Sequence, residues 1–270
     1  MAVRKAGFGG EIIGVGSPGT VRDALAAGAI NSGETLERAV ARADLIYLAW
    51  PILRIVDALA AAAPYRQSHA LITDAGSTKR RILEQASRCF PEGGFLGGHP
   101  MAGKESRGVQ NASEDLFDNK SYVLTPASGK DLESPVAQEF LSLLERINAR
   151  VLFMDADEHD RVVALTSHLC QLVSTALSKT VIDSISDSRF LIASGRGLLD
   201  MTRLADSPHE VWADILSTNE DNIRAAVDQY LSCLESLKDS IGTDLMARDF
   251  DRGQSLLKEL KQFGKSSENR

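Results

Sequence analysis

One histidine, His99, stands in a run of small residues, Gly97-Gly98-His99-Pro100-Met101-Ala102-Gly103, followed by Lys104, Glu105 and Ser106. Residues this small let backbone and ligand approach closely, and an imidazole whose unperturbed pKa lies near neutrality is a natural proton acceptor in such a place. A second segment, Asp74-Ala75-Gly76-Ser77-Thr78-Lys79, brings a hydroxyl and a cation to the junction of an apolar run and a helical pattern. A third, Ser167-His168-Leu169-Cys170-Gln171, lies inside a helical pattern that sets His168 and Gln171 one turn apart on one face. Metal chemistry is not expected. The five histidines show no His-x-x-x-His spacing, and the three cysteines, Cys89, Cys170 and Cys233, form neither a Cys-x-x-Cys pair nor a disulfide framework.

The elements that must hold these residues follow from periodicity. Short β-branched runs at 11–15, 44–49, 70–73, 121–125 and 150–153 alternate with helical patterns at 20–27, 34–43, 79–88 and 135–148, and a further strand at 95–97 precedes His99. That alternation predicts parallel strands with crossover helices, an α/β, Rossmann-like sheet covered on both faces and occupying residues 1–154. From 155 to 270 the strand signal stops and an all-helical domain is expected. Its first helix, 157 to about 181, carries Val162, Leu165, Leu169, Leu172 and Val173 as an apolar stripe. Ser207-Pro208-His209-Glu210 reads as a capping box, with a helix starting at Pro208. Beyond it Ile223, Val227, Tyr230, Leu234, Leu237 and Ile241 recur at alternating spacings of four and three, a narrow seam for another helix of the same chain or of a second subunit.

Gly14-Val15-Gly16-Ser17-Pro18-Gly19 matches the Gly-x-Gly-x-x-Gly dinucleotide fingerprint between a strand pattern and a helical one. Two features argue against that reading. Pro18 removes one of the backbone N–H groups that the fingerprint offers to pyrophosphate. The stretch 28–33 is largely turn-forming and promises no second strand to complete a βαβ unit. The expectation is instead that 11–15 is the second strand of a nucleotide-binding half, with residues 16–20 facing the adenosine ribose and the first strand and its glycine loop upstream of Met1. The sheet is then N-terminally incomplete, and the chain as it stands should bind dinucleotide poorly.

With 43% hydrophobic and 25% charged residues, the 270-residue chain can bury a core in each of two domains. A net charge of −7 and the lack of any Lys/Arg-dense run argue against nucleic acid or an anionic membrane as partner and favour a small molecule. The longest apolar runs, 45–53 and 58–64, are too short to span a bilayer, and no charged-then-apolar leader opens the sequence, so a cytoplasmic protein is expected.

The three motif segments occur together with Leu48-Ala49-Trp50-Pro51, residues 118–126, Glu158-His159-Asp160, and Thr202-Arg203-Leu204-Ala205 followed by Trp212. In this order they resemble the prephenate and arogenate dehydrogenases over residues 4 to 250 or so, the Gly-Gly-His-Pro-Met-Ala-Gly run being the most diagnostic. The resemblance implies oxidative decarboxylation of a cyclohexadienol in tyrosine biosynthesis. Hydride leaves the ring carbinol carbon for NAD or NADP, a base takes the hydroxyl proton, and loss of carbon dioxide aromatises the ring. It implies His99 as the base, and Ser77 as the serine that orients base and hydroxyl, a role the residues alone leave level with a helix N-cap. Arg203 matches an arginine that binds a substrate carboxylate through its planar fork. His168, Glu105, Lys104, Gln171 and Trp212 match positions of the substrate site, and Ser17, Thr20, Ala49 and Pro51 fall to the cofactor.

Gln171 stands where many prephenate-specific members have a second histidine, and Lys104 where threonine is frequent, which leaves prephenate and arogenate both open. Ser17 and Thr20 without an acidic neighbour at the loop tip lean towards NADP. The helical domain implies a homodimer. The alternative from a different class is a catalytically silent dimeric module that binds an aromatic or cyclohexadienyl carboxylate without turnover.

Overall fold

Sheet and helix alternate through the first half of the computed structural model, which describes residues 1–103 and 108–265. After α1 (Ala2–Lys5) come β1 (Ile13–Gly14), α2 (Pro18–Ala26), β2 (Ser32–Gly33), α3 (Leu36–Val40), β3 (Leu45–Leu48), α4 (Ile52–Ala62) and β4 (Leu71–Asp74). Next follow α5 (Arg80–Cys89), β5 (Phe95–Pro100), β6 (Ser121–Pro126), α6 (Pro135–Arg146) and β7 (Arg150–Phe153). Helices α7 (Ala156–Val163), α8 (Leu169–Ser184), α9 (Arg196–Thr202), α10 (His209–Thr218), α11 (Glu220–Ser240) and α12 (Leu245–Lys265) complete the described chain.

Strands β3 to β7 lie side by side in sequence order, and β1 and β2 form a separate two-stranded sheet. Crossovers through α4, α5 and α6 make the β3–β4, β4–β5 and β6–β7 pairs parallel. The β5–β6 pair is antiparallel, with His99 opposite Val123, which corrects the all-parallel expectation. Its physical reason is the connection. Among the described residues between β5 and β6 there is only a single 3-10 turn, Val109–Asn111, and no crossover helix, so the chain folds back beside the strand it has just left. Strand β5 also runs three residues further than its apolar pattern suggested, placing His99 on the strand rather than after it.

Strand β4 is buried at all four positions, as befits the interior of a sheet covered on both faces. On one face Ile52, Ile55 and Leu59 of α4 and Ile82 of α5 pack on Ile46, Leu48 and Ile72. On the other, Ala137, Phe140 and Leu144 of α6 pack on Leu71, Leu96 and Leu124. Each of these isoleucine, leucine and phenylalanine side chains contributes roughly 1.5–3 kcal/mol on full burial, so the strand ends that carry the site stand on a stiff platform.

Three local expectations are corrected. Strands β1 and β2 pair in parallel across α2, Ile13 with Ser32 and Gly14 with Gly33, so a βαβ unit does follow the glycine loop, with strands two residues long. Glycine permits the approach: a Cβ on Gly14 would lie 2.5 Å from Ile30 Cδ1, and one on Gly33 2.3 Å from Val21 Cγ1. Helix α10 begins at His209, not Pro208, because Pro208 takes the extended N-cap conformation. Ser207 caps no amide there and instead accepts a hydrogen bond from Trp212 Nε1 at 3.0 Å. The helical stretch from α7 to α8 is broken by a π-helical turn, Ala164–His168. It exposes Val162 and Leu165 of the expected apolar stripe and buries Val163, Ala164, His168, Gln171 and Ser174 instead.

The chain divides into two compact units, Met1–Glu220 and Asp221–Arg270, a division inside the helical half and away from residue 154. In the second unit Ile223 and Ala226 are buried, whereas Leu234 and Ile241 of the expected seam, and Phe250 and Leu260 of α12, are exposed. No helix among the described residues is long and apolar enough to cross a membrane.

Candidate active site

Strand β4 ends on Asp74, a fully buried carboxylate that must be paired to be tolerated there. It accepts hydrogen bonds from Gly76 N at 2.7 Å and Gly98 N at 3.0 Å, and it forms an ion pair with the equally buried Lys79. Lys79 Nζ also donates to Gly98 O at 2.6 Å. Burial pushes the Lys79 ammonium down, against the pull of Asp74 and Asp160. Both backbone groups of Gly98 are thus tied to one ion pair, and the glycine itself is required: a Cβ would lie 2.5 Å from Asp74 O. The next residue along this clamped strand is His99.

His99 is 9% exposed, and its Nδ1 lies 2.8 Å from His159 Nε2. His159 Nδ1 lies in turn 2.8 Å from Asp160 Oδ1. The Asp160 carboxylate also accepts Lys79 N at 2.7 Å and Arg80 N at 3.0 Å, so a residue of α7 caps the first turn of α5, where the helix dipole favours an anion. Ser77 therefore does not cap that helix; the N-cap position is Lys79, with no cap from its own side chain. Asp160 O receives Asn219 Nδ2 at 2.8 Å, and the same amide stands 3.3 Å from His168 Nδ1. Because an amide nitrogen only donates, His168 Nδ1 accepts and its proton sits on Nε2. The His168 ring meets Trp212 edge to face at 6.0 Å. Two further ties hold α10 to the sheet domain: Thr78 Oγ1 to Thr218 Oγ1 at 2.7 Å, and Leu53 N to Asp214 Oδ2 at 3.1 Å.

Both site histidines are held neutral. Burial foremost, then His159, Lys79 and His168, keeps His99 well below the ordinary imidazole pKa. Burial also pushes His168 down to about 4, with Asp160 opposing and His159 reinforcing the shift. A buried, neutral imidazole can accept a proton at Nε2 when its Nδ1 is the donor in the pair with His159.

The structure brings His99, His168 and Trp212 into one neighbourhood, with Gln171 buried one turn beyond His168 and bonded to Thr175 Oγ1 at 3.4 Å. Ser77 is half-buried in the bend between β4 and α5, and among the described residues no hydrogen bond joins it to His99. Arg203 is exposed in the turn after α9, which is pinned to α8 by Ala205 N donating to Ser174 Oγ at 3.1 Å. Ala49 and Pro51 are exposed where β3 ends and α4 begins. Ser17 caps α2 by accepting Thr20 N at 3.2 Å, and the two hydroxyls lie 2.9 Å apart, exposed, on a different element from His99. Lys104 and Glu105 lie outside the described residues. Residue reasoning gave no role of their own to Asp74, His159, Asp160 or Asn219. The available signal was adjacency: a histidine beside an aspartate early in a helix, and a lone aspartate closing an apolar strand.

Two family models match the chain in succession. The prephenate dehydrogenase nucleotide-binding domain covers residues 1–153 and the prephenate dehydrogenase dimerization domain residues 155–262. The chain is 32% identical over 250 residues to the prephenate dehydrogenase of Bacillus subtilis (strain 168), covering 88% of this chain and 65% of that protein. It is 31% identical over 273 residues to the prephenate dehydrogenase of Lactococcus lactis subsp. cremoris (strain MG1363), covering 99% of this chain and 73% of that one. A crystal structure of prephenate dehydrogenase from A. aeolicus, in complex with hydroxyphenyl propionate and NAD+, superposes with a TM-score of 0.87 at 27% identity, covering 96% of this chain and 92% of that one. This chain, with its clamped histidine at the end of β5, belongs to the prephenate dehydrogenase family.

Proposed function

We propose that the chain catalyses oxidative decarboxylation of prephenate or arogenate, with hydride transfer to NAD or NADP, in tyrosine biosynthesis. The observation that carries this reading is His99: buried, hydrogen-bonded through Nδ1 to His159, and neutral far below the ordinary imidazole range. The nicotinamide, when bound, supplies the hydride acceptor. His99 takes the ring hydroxyl proton at Nε2 as the carbinol carbon is oxidised, and loss of carbon dioxide then makes the ring aromatic. Ser77, in the bend beside β4, orients that hydroxyl. Arg203 binds a substrate carboxylate with two parallel N–H donors. His168, Gln171 and Trp212 form the wall opposite the sheet, and Lys104 and Glu105 contribute from the segment that follows Gly103.

The residues present fit part of a dinucleotide. Exposed hydroxyls of Ser17 and Thr20 at the start of α2, and the small Ala49 with Pro51 after β3, follow the carboxyl ends of parallel strands, where open α/β sheets bind their ligands. The lack of a carboxylate beside Ser17 and Thr20 leaves room for a 2′-phosphate and favours NADP over NAD. The exposed apolar residues of α11 and α12 support a homodimer.

Purified protein supplied with prephenate or arogenate, each with NAD+ or NADP+, tests the reading through absorbance of the reduced cofactor. Turnover in at least one of the four mixtures is expected. Calorimetric binding of a cyclohexadienyl carboxylate with no turnover in any mixture would replace the dehydrogenase with a silent binding module.

A further inference from the structure

We infer that His159 and Asp160 are positioning residues for proton transfer at His99: hydrogen bonding from Asp160 through His159 fixes the His99 tautomer with its proton on Nδ1 and its lone pair on Nε2. The inference rests on the reading of His99 as the base and deepens it.

The assignment follows by elimination along three buried groups. Asp160 receives the Lys79 and Arg80 amides and faces the Arg80 guanidinium, with Nε 3.5 Å from Oδ2, so its carboxylate acts as an acceptor throughout. His159 Nδ1, at 2.8 Å from Oδ1, must therefore be the donor of that pair. A neutral imidazole carries one N–H, so His159 Nε2 is left with a lone pair. The His99 Nδ1 that lies 2.8 Å from this lone pair must then carry a proton, which leaves His99 Nε2 bare. The opposite arrangement needs His159 protonated on both nitrogens, and that would place a proton on His99 Nε2 and abolish the base. His159 is completely buried and has, among the described residues, only the Asp160 carboxylate, already shared with two backbone amides, to offset a ring cation, so the singly protonated ring is the arrangement taken.

The proton count closes. The substrate O–H bond breaks, an Nε2–H bond forms on His99, and the resulting imidazolium keeps its Nδ1 proton hydrogen-bonded to His159, one imidazole away from the Asp160 carboxylate. The charged and titratable groups around His99 are His159 and Asp160 from α7, His168 from the π turn, and Lys79 with its partner Asp74 from the β4–α5 junction. Asp160 is the anion that the network joins to the new charge, while Asp74 is already paired with Lys79. The same carboxylate caps α5, so the base is aligned by the contact that fastens α7 to the sheet domain.

Three measurements test this. Histidine-selective 15N labelling of the unmodified protein reads the tautomer directly: Nδ1–H on His99 at neutral pH is expected, and Nε2–H overturns the inference. In Asp160→Asn the amide can donate to His159 and reverse the network, so kcat should fall by roughly 10²–10⁴ with KM changed only a few-fold. The acid limb of kcat/KM should move to lower pH, since the new charge loses its anion. His159→Gln, which keeps an acceptor for the Nδ1 proton, should retain at least tenfold more activity than His159→Leu, a rescue that a packing role would not give. Parental kcat and pH profile in all three folded variants would remove the positioning role. His99→Asn run alongside separates the two levels: if it too is near parental, the base assignment fails, and if it alone is inactive, only the network does.

Discussion

At the scale of single residues, the proposed function divides work between groups that act in the transition state and groups that act throughout binding. His99→Asn removes the proton acceptor while keeping a polar side chain, so kcat should fall by about 10²–10⁴ with substrate KM within a few-fold of the parent in steady-state assays. On the proposed reading Arg203→Ala removes a carboxylate contact made in ground and transition states alike. Its signature should be a rise of roughly tenfold to a hundredfold in KM, corresponding to a lost charge-assisted hydrogen bond, with the smaller change in kcat. An unchanged KM would reassign Arg203 to structure. His99 was legible in the sequence because a lone imidazole among glycines has few structural duties. Asp160 was not, because its partners Lys79 and Arg80 are 81 and 80 residues away and only the fold brings them to it.

At the scale of elements, the ion pair of Asp74 and Lys79 turns the end of β5 into a fixed mount. Gly98→Ala should therefore cost about 1–3 kcal/mol of stability by overpacking against Asp74 O, read as a lower urea midpoint. It should also lower kcat, because the clash falls one residue from the base. Most elements could be read from period and turn residues: β7 was found at its observed limits, and α5 within one residue of them. Strand direction could not be read. Nothing in the composition of 121–126 distinguishes a parallel from an antiparallel neighbour of β5; what decides it is the connection, which has no crossover helix among its described residues. The inward face of the α7–α8 stretch was misjudged for a related reason. The π turn adds a residue to the helical repeat and swings polar His168 and Gln171 inward, which a stripe of leucines and valines could not foretell.

At the scale of the whole molecule, two properties follow. Folded His168 takes up its proton only near pH 4, whereas the unfolded side chain does so near 6.5. Between these values the unfolded state binds more protons, so stability falls as pH drops from 6.5 towards 4 and this contribution then levels off. The loss assigned to His168 is on the order of 3 kcal/mol, and His99 adds to it in the same direction. Urea unfolding at a series of pH values should show a shallower acid loss in His168→Gln than in the parent. For assembly, Leu234 and Leu237 replaced together by glutamate should convert a dimer to monomer or aggregate in light scattering. A dimer that survives both changes would move the interface off this seam. The sequence pattern indicated the seam; whether its partner is a second copy is a property of surfaces, which periodicity does not encode.

The ties that complete the site also set an order in time. His99 meets a residue 60 positions later, Thr78 one 140 later and Leu53 one 161 later. A ribosome that has delivered the last strand, β7, has delivered every strand of the sheet but neither His159 nor Asp160, and α5 then has only water at its first amides. At ordinary translation rates Asn219 follows after roughly 3–13 s. The nascent sheet must hold its shape through that interval without the Asn219 and α10 ties that complete the site. Reactivity thus arrives late, and a rare-codon pause placed between α7 and α10 would lengthen the life of a scaffold that is built but not yet an enzyme.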